Sequence, residues 1–221
     1  MNYYAHGCRF VDRPYFLAGT AVPDWLRVSD HGVRVQSKRV TPFADGGDSP
    51  RSQIAAGILQ HLADDDLFHG TAAFIQVSAQ LSTMFKLALP VDDGYRPSFL
   101  GHITTELILD GLLISANTSG LDAYYEALLQ IEPAVVLQSV NEMTRDPSVR
   151  LAEFIPLFHR EQFLWDYQEP ERLLYRLNQV LRRVKLPPLP AEIRQVLADA
   201  KPIVERWADA LLPYKWPAKE E

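Results

Sequence analysis

Residues 99–113, FLGHITTELILDGLL, combine many apolar side chains with regularly spaced polar ones. This stretch predicts a helix with apolar side chains nearly all round, and such a helix is buried inside a protein. His102, Glu106 and Asp110 nevertheless recur in it at intervals of four residues, which keeps them near one face of the helix. Because an unpaired buried charge is costly, Glu106 and Asp110 must be paired, protonated or bound to a cation.

Residues 57–70, GILQHLADDDLFHG, carry a second series with the same spacing, formed by His61, Asp65 and His69. Imidazoles and carboxylates are ligands that divalent cations such as Mn²⁺, Fe²⁺ and Zn²⁺ accept. If the two helical faces turn toward each other, they form one site. We therefore predict a divalent metal bound by His61, Asp65 and Asp110, with His102 as a further ligand.

Less specific interpretations of the same residues remain open. Each series can be a solvated stripe or a buried hydrogen-bond network. His69 precedes Gly70, a predicted helix end, so it can serve as a cation that complements the helix dipole. Within the run 64–66, Asp65 shares a face with the histidines, while Asp64 and Asp66 point about 100° to either side. Either of these neighbours can orient an imidazole.

Residues typical of helix starts and helix ends divide the chain into predicted helices joined by loops. This pattern predicts an all-α, bundle-like fold. Ser49 is typical of an N-cap and Pro50 of a first helical position. Residues 33–40, VRVQSKRV, alternate apolar and polar side chains and allow a short strand or hairpin. The predicted helices cover residues 2–10, 14–28, 50–69, 71–88, 97–115, 121 onward with a break at Pro133, 146–160, 170–185 and 190–212.

Composition limits the class of protein. The 221 residues carry a net charge of −6, which argues against nonspecific binding to nucleic acid. No uninterrupted apolar run approaches the ~20 residues that span a bilayer, and no signal peptide is visible. Cys8 is the single cysteine, so an internal disulfide is excluded. These features predict a cytoplasmic protein that binds neither membranes nor nucleic acid.

Four blocks of the first half resemble the acyl carrier protein phosphodiesterase family, a divergent all-helical relative of the HD-domain phosphohydrolases. The blocks are MNYYAH at 1–6, FLAGTAVPDWLRV at 16–28, IAAGILQHLADDD at 54–66 and ITTELILDGLL at 103–113, and they stand in the order of the family. The resemblance covers about residues 1–115. It implies an HD-like helical bundle with residues 1–118 as the metal-site core. We predict that residues 119–221 add helices that pack on this core as part of a single domain.

Carried over position by position, the resemblance implies a metal-dependent reaction and a set of site residues. The chain departs from the family at three positions. The family has Asp where this chain has His69 and His where it has Gly111, and His102 has no counterpart in the family. The site residues that the resemblance implies are His6, Asp24, His61, Asp65 and Asp110, with Glu106 at an acidic position of the family.

The leading hypothesis is a hydrolase that cleaves a phosphodiester or phosphomonoester with metal-activated water. Asp65, Glu106 and His69 are its candidate catalytic residues. The substrate is a phosphoester, and the resemblance implies an acyl carrier protein as a possible partner. One alternative is a decayed enzyme that binds metal without turnover, which Gly111 supports. Another is a helical interaction module, with aromatic anchors at Trp165, Tyr167, Trp207, Tyr214 and Trp216.

Overall fold

The structure is a computed structural model that describes residues 1–90, 93–212 and 214. These residues form α-helices, short 3₁₀ segments and connecting loops, and they contain no β-strand, so the all-α prediction is confirmed. The 3₁₀ segments are Cys8–Phe10, Thr41–Phe43 and Phe163–Gln168. The α-helices are α1 Tyr3–Gly7, α2 Pro14–Ser29, α3 Ser37–Val40, α4 Pro50–Gly70, α5 Ala72–Ala88, α6 Pro97–Ala116, α7 Thr118–Leu128, α8 Pro133–Met143, α9 Leu151–Glu161, α10 Pro170–Arg183 and α11 Ile193–Leu211.

The helix that carries the first predicted series begins as its sequence indicates. The hydroxyl of Ser49 accepts a hydrogen bond from the backbone N–H of Ser52 at 3.2 Å, and Pro50 is the first residue of α4. A side-chain acceptor there satisfies an amide that has no partner within the helix. Proline also opens α2, α6, α8 and α10, where its fixed φ and missing N–H carry no penalty.

The structure differs from the sequence analysis in two segments. The segment 33–40 forms no strand, because its second half is the short helix α3, in which the N–H groups of Arg39 and Val40 bond to the carbonyl of Gln36. The helix predicted from residue 146 begins instead at Leu151. Before it, the hydroxyl of Ser148 accepts from the N–H of Leu151 at 3.2 Å, so the residues after the proline form a bend instead of a helix.

The chain divides into two compact units, each assembled from two separate segments. The first unit comprises Met1–Asp66 and Thr118–Gln162. In it α2 packs against α1, α7 and α9, and α8 packs against α9. Its interior contains large, fully buried side chains, including Trp25, Ile58 and Phe158. The rings of Trp25 and Phe158 make an edge-to-face contact, with their centroids 5.5 Å apart.

The second unit comprises Leu67–Asn117 and Phe163–Glu221. Helix α6 packs along α5, on α11 and on the 3₁₀ segment Phe163–Gln168. Two glycines of α6 permit these approaches. A Cβ on Gly101 would collide with the backbone of Ser78, and one on Gly111 would collide with the carbonyl of Tyr167. Gly111, where the resembled family has His, is therefore a packing position.

Each unit combines an early and a late segment of the chain, and the predicted division at residues 118 and 119 stays a prediction. The prediction of a single domain stays a prediction. Among the predicted aromatic anchors, Tyr167 is buried and Trp165, Trp207 and Tyr214 are intermediate in exposure, while Trp216 lies outside the described residues.

Within the part of the chain that the structure describes, α6 is the one helix long and apolar enough to cross a membrane by length and composition. Of its most apolar window, 72% is buried inside the protein. Core helices of soluble proteins meet the same criterion, so α6 is weak evidence for a membrane span, and its burial agrees with its predicted place in the core.

Asp30 joins the end of α2 to the start of α9 in the first unit. Its Oδ2 accepts from the hydroxyl of Ser148 at 2.6 Å and from the N–H of Arg150 at 3.2 Å. Burial acts to raise the pKa of Asp30, but these hydrogen bonds outweigh it and lower the pKa below the ordinary 3.8. The carboxylate form is therefore the one that the folded chain stabilises.

Replacing Asp30 by Asn should destabilise the protein at neutral pH by about 1–2 kcal/mol, because the charge-assisted acceptor is lost. Since the folded-state pKa is depressed, the stabilisation is fully present above the unfolded-state pKa and disappears as pH falls through the folded-state value. Denaturant unfolding at neutral pH and at about pH 3 checks this expectation. Asp146→Asn, an exposed neighbour, is the matched control and should change little. Equal losses for both variants, or a loss that persists in acid, would contradict the account.

Candidate metal centres

Two glycines bring the backbones of α2 and α4 into contact in the first unit. A Cβ on Gly57 would collide with the carbonyl of Phe16, and one on Gly19 would collide with the carbonyl of Ile54 and lie 3.0 Å from the Cα of Gly57. Only glycine at both positions allows the helices to meet this closely. The contact lies next to Thr20 on α2 and one turn before His61 on α4.

The carbonyl of Thr20 fixes the tautomer of His61. The Nδ1 of His61 lies 2.8 Å from this oxygen, and a carbonyl can only accept a hydrogen bond, so Nδ1 carries a proton. In the neutral imidazole, Nε2 then presents its lone pair. That nitrogen is buried, has no hydrogen-bond partner and lies 3.6 Å from Oδ2 of Asp65. A protonated Nδ1 held by a carbonyl is the arrangement that orients histidine ligands in metal proteins.

His6, from α1, lies directly over His61. The two imidazole rings stack with centroids 3.8 Å apart and an interplanar angle of 21°. Nε2 of His6 is 3.2 Å from Oδ1 of Asp65, and that same oxygen accepts from the amino group of Met1 at 2.7 Å. His6 is 0% exposed, and neither of its ring nitrogens has a hydrogen-bond partner of good geometry. One ligand atom from each of His6, His61 and Asp65 lies within 4.8 Å of the others, and we refer to these residues as the amino-terminal triad.

Asp64 supports the amino-terminal triad without belonging to it. Its Oδ2 accepts from Arg9 at 2.9 Å and its Oδ1 from Gln60 at 2.9 Å, so both carboxylate oxygens are satisfied. Oδ2 also lies 3.9 Å from Nδ1 of His6. This position suits a carboxylate that orients an imidazole. Asp66, its counterpart on the other side of the helix, is exposed.

The electrostatics of the amino-terminal triad keep its carboxylate ionised. Burial acts to raise the pKa of Asp65, but His6, His61 and the amino group of Met1 lower it far below the ordinary value. For His6, burial acts to lower the pKa, and the carboxylates of Asp64 and Asp65 reverse this and raise it. The amino-terminal triad therefore holds an ionised carboxylate beside His6, and a cation that bound there would take the place of the His6 proton that this carboxylate favours.

A second group of ligand atoms lies wholly within the second unit. His69, at the end of α4, places Nε2 2.9 Å from Oε1 of Glu106, and His102 places its Nε2 3.1 Å from the same oxygen. The two imidazoles stack with centroids 4.9 Å apart. We refer to His69, His102 and Glu106 as the second triad, in which one ligand atom from each residue again lies within 4.8 Å of the others.

The carboxylate of the second triad is also ionised. Burial acts to raise the pKa of Glu106, but nearby positive charge and the hydrogen bonds of His102 and His69 lower it well below the ordinary value. His69 thus has a partner more specific than the helix dipole. If His69 only complemented the helix dipole as a cation, its place at the end of α4 would be explained. Its contact with Glu106 would not be.

Two predicted ligands belong to neither triad. Asp24, one turn after Thr20 on α2, pairs through Oδ1 with Arg27 at 3.6 Å, and its buried Oδ2 has no hydrogen-bond partner. Asp110, one turn after Glu106 on α6, is 0% exposed. Among the residues that the structure describes, neither carboxylate is part of a converging group of three ligands. Their roles as metal ligands therefore stay predictions.

The series His61, Asp65 and His69 contributes to both triads instead of one. Each step of four residues rotates the side chain by about 40°, so residues eight apart differ by about 80° around the helix. His61 and Asp65 meet His6, whereas His69 meets His102 and Glu106. The sequence also did not reveal the supporting roles of Arg9 and the Thr20 carbonyl, and a backbone oxygen leaves no signal in a sequence.

Comparison with known proteins adds no assignment, because no protein-family model, no curated protein and no solved structure matches this chain. The chemistry of the triads therefore carries the functional argument.

Proposed function

We propose that this chain is a metal-dependent hydrolase of phosphoesters, of the HD-like helical type, with His6, His61 and Asp65 as metal ligands. The observation that carries the proposal is the lone pair of His61 Nε2. It is buried, has no hydrogen-bond partner and faces a carboxylate oxygen 3.6 Å away. In neutral His61 this lone pair faces a second acceptor in a buried place, which is unfavourable unless a proton or a metal cation lies between them.

The donor set of the amino-terminal triad fits a divalent cation. Two imidazole nitrogens and one carboxylate oxygen match the ligands of catalytic zinc sites, and Mn²⁺ or Fe²⁺ accept the same donors. Three protein ligands leave at least one coordination position for water or substrate. The tautomer of His61 is already set for binding by the Thr20 carbonyl, so little reorganisation is needed.

A bound divalent cation would lower the pKa of a coordinated water and polarise a phosphoryl oxygen. The residues of the chain supply the remainder. His6 and His61 fix the position of the cation and exclude solvent on their side, since they are 0% and 1% exposed. Asp65, with its side chain 17% exposed, is the part of the triad that solvent reaches. Arg9 pairs with Asp64 at 2.9 Å and cancels its charge, which reduces the repulsion of an anionic substrate.

The same burial supports a second candidate, a metal-binding protein without turnover. Two fully buried imidazoles resemble a closed structural site more than an open catalytic one. In this alternative the cation stabilises the fold of the first unit by mass action, and no substrate reaches it. Activity on a phosphoester therefore distinguishes the two candidates, whereas metal content alone does not.

We expect the purified protein to hydrolyse bis(p-nitrophenyl) phosphate or p-nitrophenyl phosphate slowly, with stimulation by Mn²⁺ and loss of activity in a chelator. The reason is that metal-activated water attacks any accessible phosphoryl group to some extent, whereas the natural substrate needs pockets of its own. His31→Ala, an exposed histidine outside both triads, serves as the control and should retain full activity.

Two other outcomes would revise the proposal. Metal-loaded protein that is inactive on a broad panel of phosphoesters would overturn catalysis and favour the metal-binding alternative. Release of phosphopantetheine from an acyl carrier protein, without activity on small phosphoesters, would identify a carrier protein as the substrate.

A further inference from the structure

The ligand atoms of the second triad are nearly at the spacing of a metal coordination sphere. Two ligands bonded to one metal at about 2.0–2.2 Å in a tetrahedral arrangement lie roughly 3.3–3.6 Å apart. The Nε2 atoms of His69 and His102 lie 2.9 Å and 3.1 Å from Oε1 of Glu106. An opening of about half an ångström would admit a cation.

The second triad is open on the side of its imidazoles. The side chain of Glu106 is 10% exposed, whereas those of His69 and His102 are 32% and 44% exposed. The carboxylate therefore lies at the base of the group and the imidazoles at its rim. This arrangement differs from the amino-terminal triad, in which both histidines are buried. A cation here would be exchangeable, with its remaining coordination positions facing solvent.

Aromatic side chains hold the imidazoles of the second triad in place. The ring of Phe74 makes edge contacts with His69 and His102, each at 4.9 Å between centroids, and Phe68 contacts His69 at 5.2 Å. Phe74 is itself fixed at the start of α5, where its N–H donates to the hydroxyl of Thr71 at 3.0 Å. The imidazoles are therefore positioned before any ligand arrives, which reduces the ordering cost of binding.

We propose that His69, His102 and Glu106 form a second divalent-metal site, solvent-accessible and independent of the amino-terminal triad. With two imidazoles and one carboxylate, the site should prefer Zn²⁺ or Co²⁺ to Mg²⁺ and Ca²⁺, which require oxygen ligands. Water or a small anionic ligand completes the coordination on the exposed side. This proposal does not depend on hydrolase activity, because it concerns different residues in a different unit.

The alternative for the same residues is a hydrogen-bonded cluster without metal. Two neutral imidazoles can each donate an Nε2–H to the single oxygen Oε1 of Glu106, and this satisfies all three groups. A metal must displace both protons to bind. The two states therefore differ in metal content and in the tautomer of the imidazoles, which makes the proposal measurable.

The experiment counts Zn²⁺ bound to the full chain after saturation and gel filtration, measured by elemental analysis. We expect two equivalents in the wild type, one in His102→Gln, one in His61→Ala, and none in the double variant. His31→Gln should keep both. His102→Gln should lower the affinity of the second site for Zn²⁺ at least about 100-fold. Loss of a group that merely orients a ligand costs about 10–100-fold, and His102 is proposed as a ligand itself. Circular dichroism verifies that each variant is folded.

Cobalt provides an independent measurement at the same site. In the His61→Ala background, Co²⁺ should produce visible d–d absorption that His102→Gln and Glu106→Gln abolish and that excess Mg²⁺ leaves unchanged. Equal zinc content in the wild type and folded His102→Gln, or a cobalt spectrum insensitive to both substitutions, would overturn the second site. Loss of zinc in His102→Gln together with none lost in His61→Ala would instead contradict the amino-terminal site and leave this proposal standing.

Discussion

Asp65→Asn is expected to lower both the metal affinity of the amino-terminal triad and the rate of phosphoester hydrolysis by at least about 100-fold. Removing a residue that only orients a metal ligand costs up to about 100-fold, and removing a ligand should cost at least as much. The amide keeps the volume of the carboxylate but loses the charge that faces His6 at 3.2 Å and His61 at 3.6 Å. Metal titration of the chelator-treated protein and hydrolysis of an aryl phosphodiester measure the two losses.

Asp66→Asn provides a matched control for this variant. Asp66 is the next residue on α4, and its side chain is exposed, so its substitution changes the net charge equally and leaves the triad intact. Both variants should retain the helical circular dichroism of the wild type. If folded Asp65→Asn binds metal as tightly as Asp66→Asn, Asp65 is not a ligand.

Gly57→Ala is expected to destabilise the protein by about 1–3 kcal/mol, the range for overpacked interiors. In an ordinary helix interior the same substitution would stabilise by up to about 1 kcal/mol, because alanine has the higher helix propensity. Here the new methyl group would collide with the carbonyl of Phe16 and lie 2.9 Å from the N–H nitrogen of Thr20. Separating α2 from α4 would also move the Thr20 carbonyl away from His61, so the affinity for metal should fall as well.

The control for this prediction is Gly70→Ala, on the same helix. A Cβ on Gly70 meets nothing within 4 Å, so only the difference in helix propensity remains and stability should be unchanged or slightly higher. Thermal or denaturant unfolding of the two variants, each with and without metal, provides the comparison. A Gly57→Ala variant as stable as Gly70→Ala would contradict the close packing of α2 and α4.

The features that could be predicted from sequence are those determined by local chemistry. α6 was predicted over residues 97–115 from its apolar side chains, and it spans Pro97–Ala116. The start of α4 followed from Ser49 and Pro50. The short strand or hairpin that residues 33–40 allowed did not form, because alternation over eight residues is a weak signal and a strand needs a neighbouring strand to pair with. The segment instead forms the local hydrogen bonds of α3.

The candidate site was only partly predictable, because helix spacing determines which residues share a face but not what that face meets. The pairs His61–Asp65 and His102–Glu106 follow from their spacing of four residues, and both pairs are present. The partner of the first pair, His6, came from the resemblance and not from any spacing. That His69 joins the second pair depends on long-range packing. Such packing depends on glycine contacts and aromatic neighbours that no local pattern contains.

The most direct test of the central claim is an anomalous difference map from crystals of the full chain grown with Mn²⁺ or Zn²⁺. We predict a peak at about 2.0–2.2 Å from Nε2 of His6, Nε2 of His61 and a carboxylate oxygen of Asp65. Chelator-treated crystals should lack that peak. A metal-soaked crystal with no anomalous peak among these three residues, or with metal bound only elsewhere, would contradict the account.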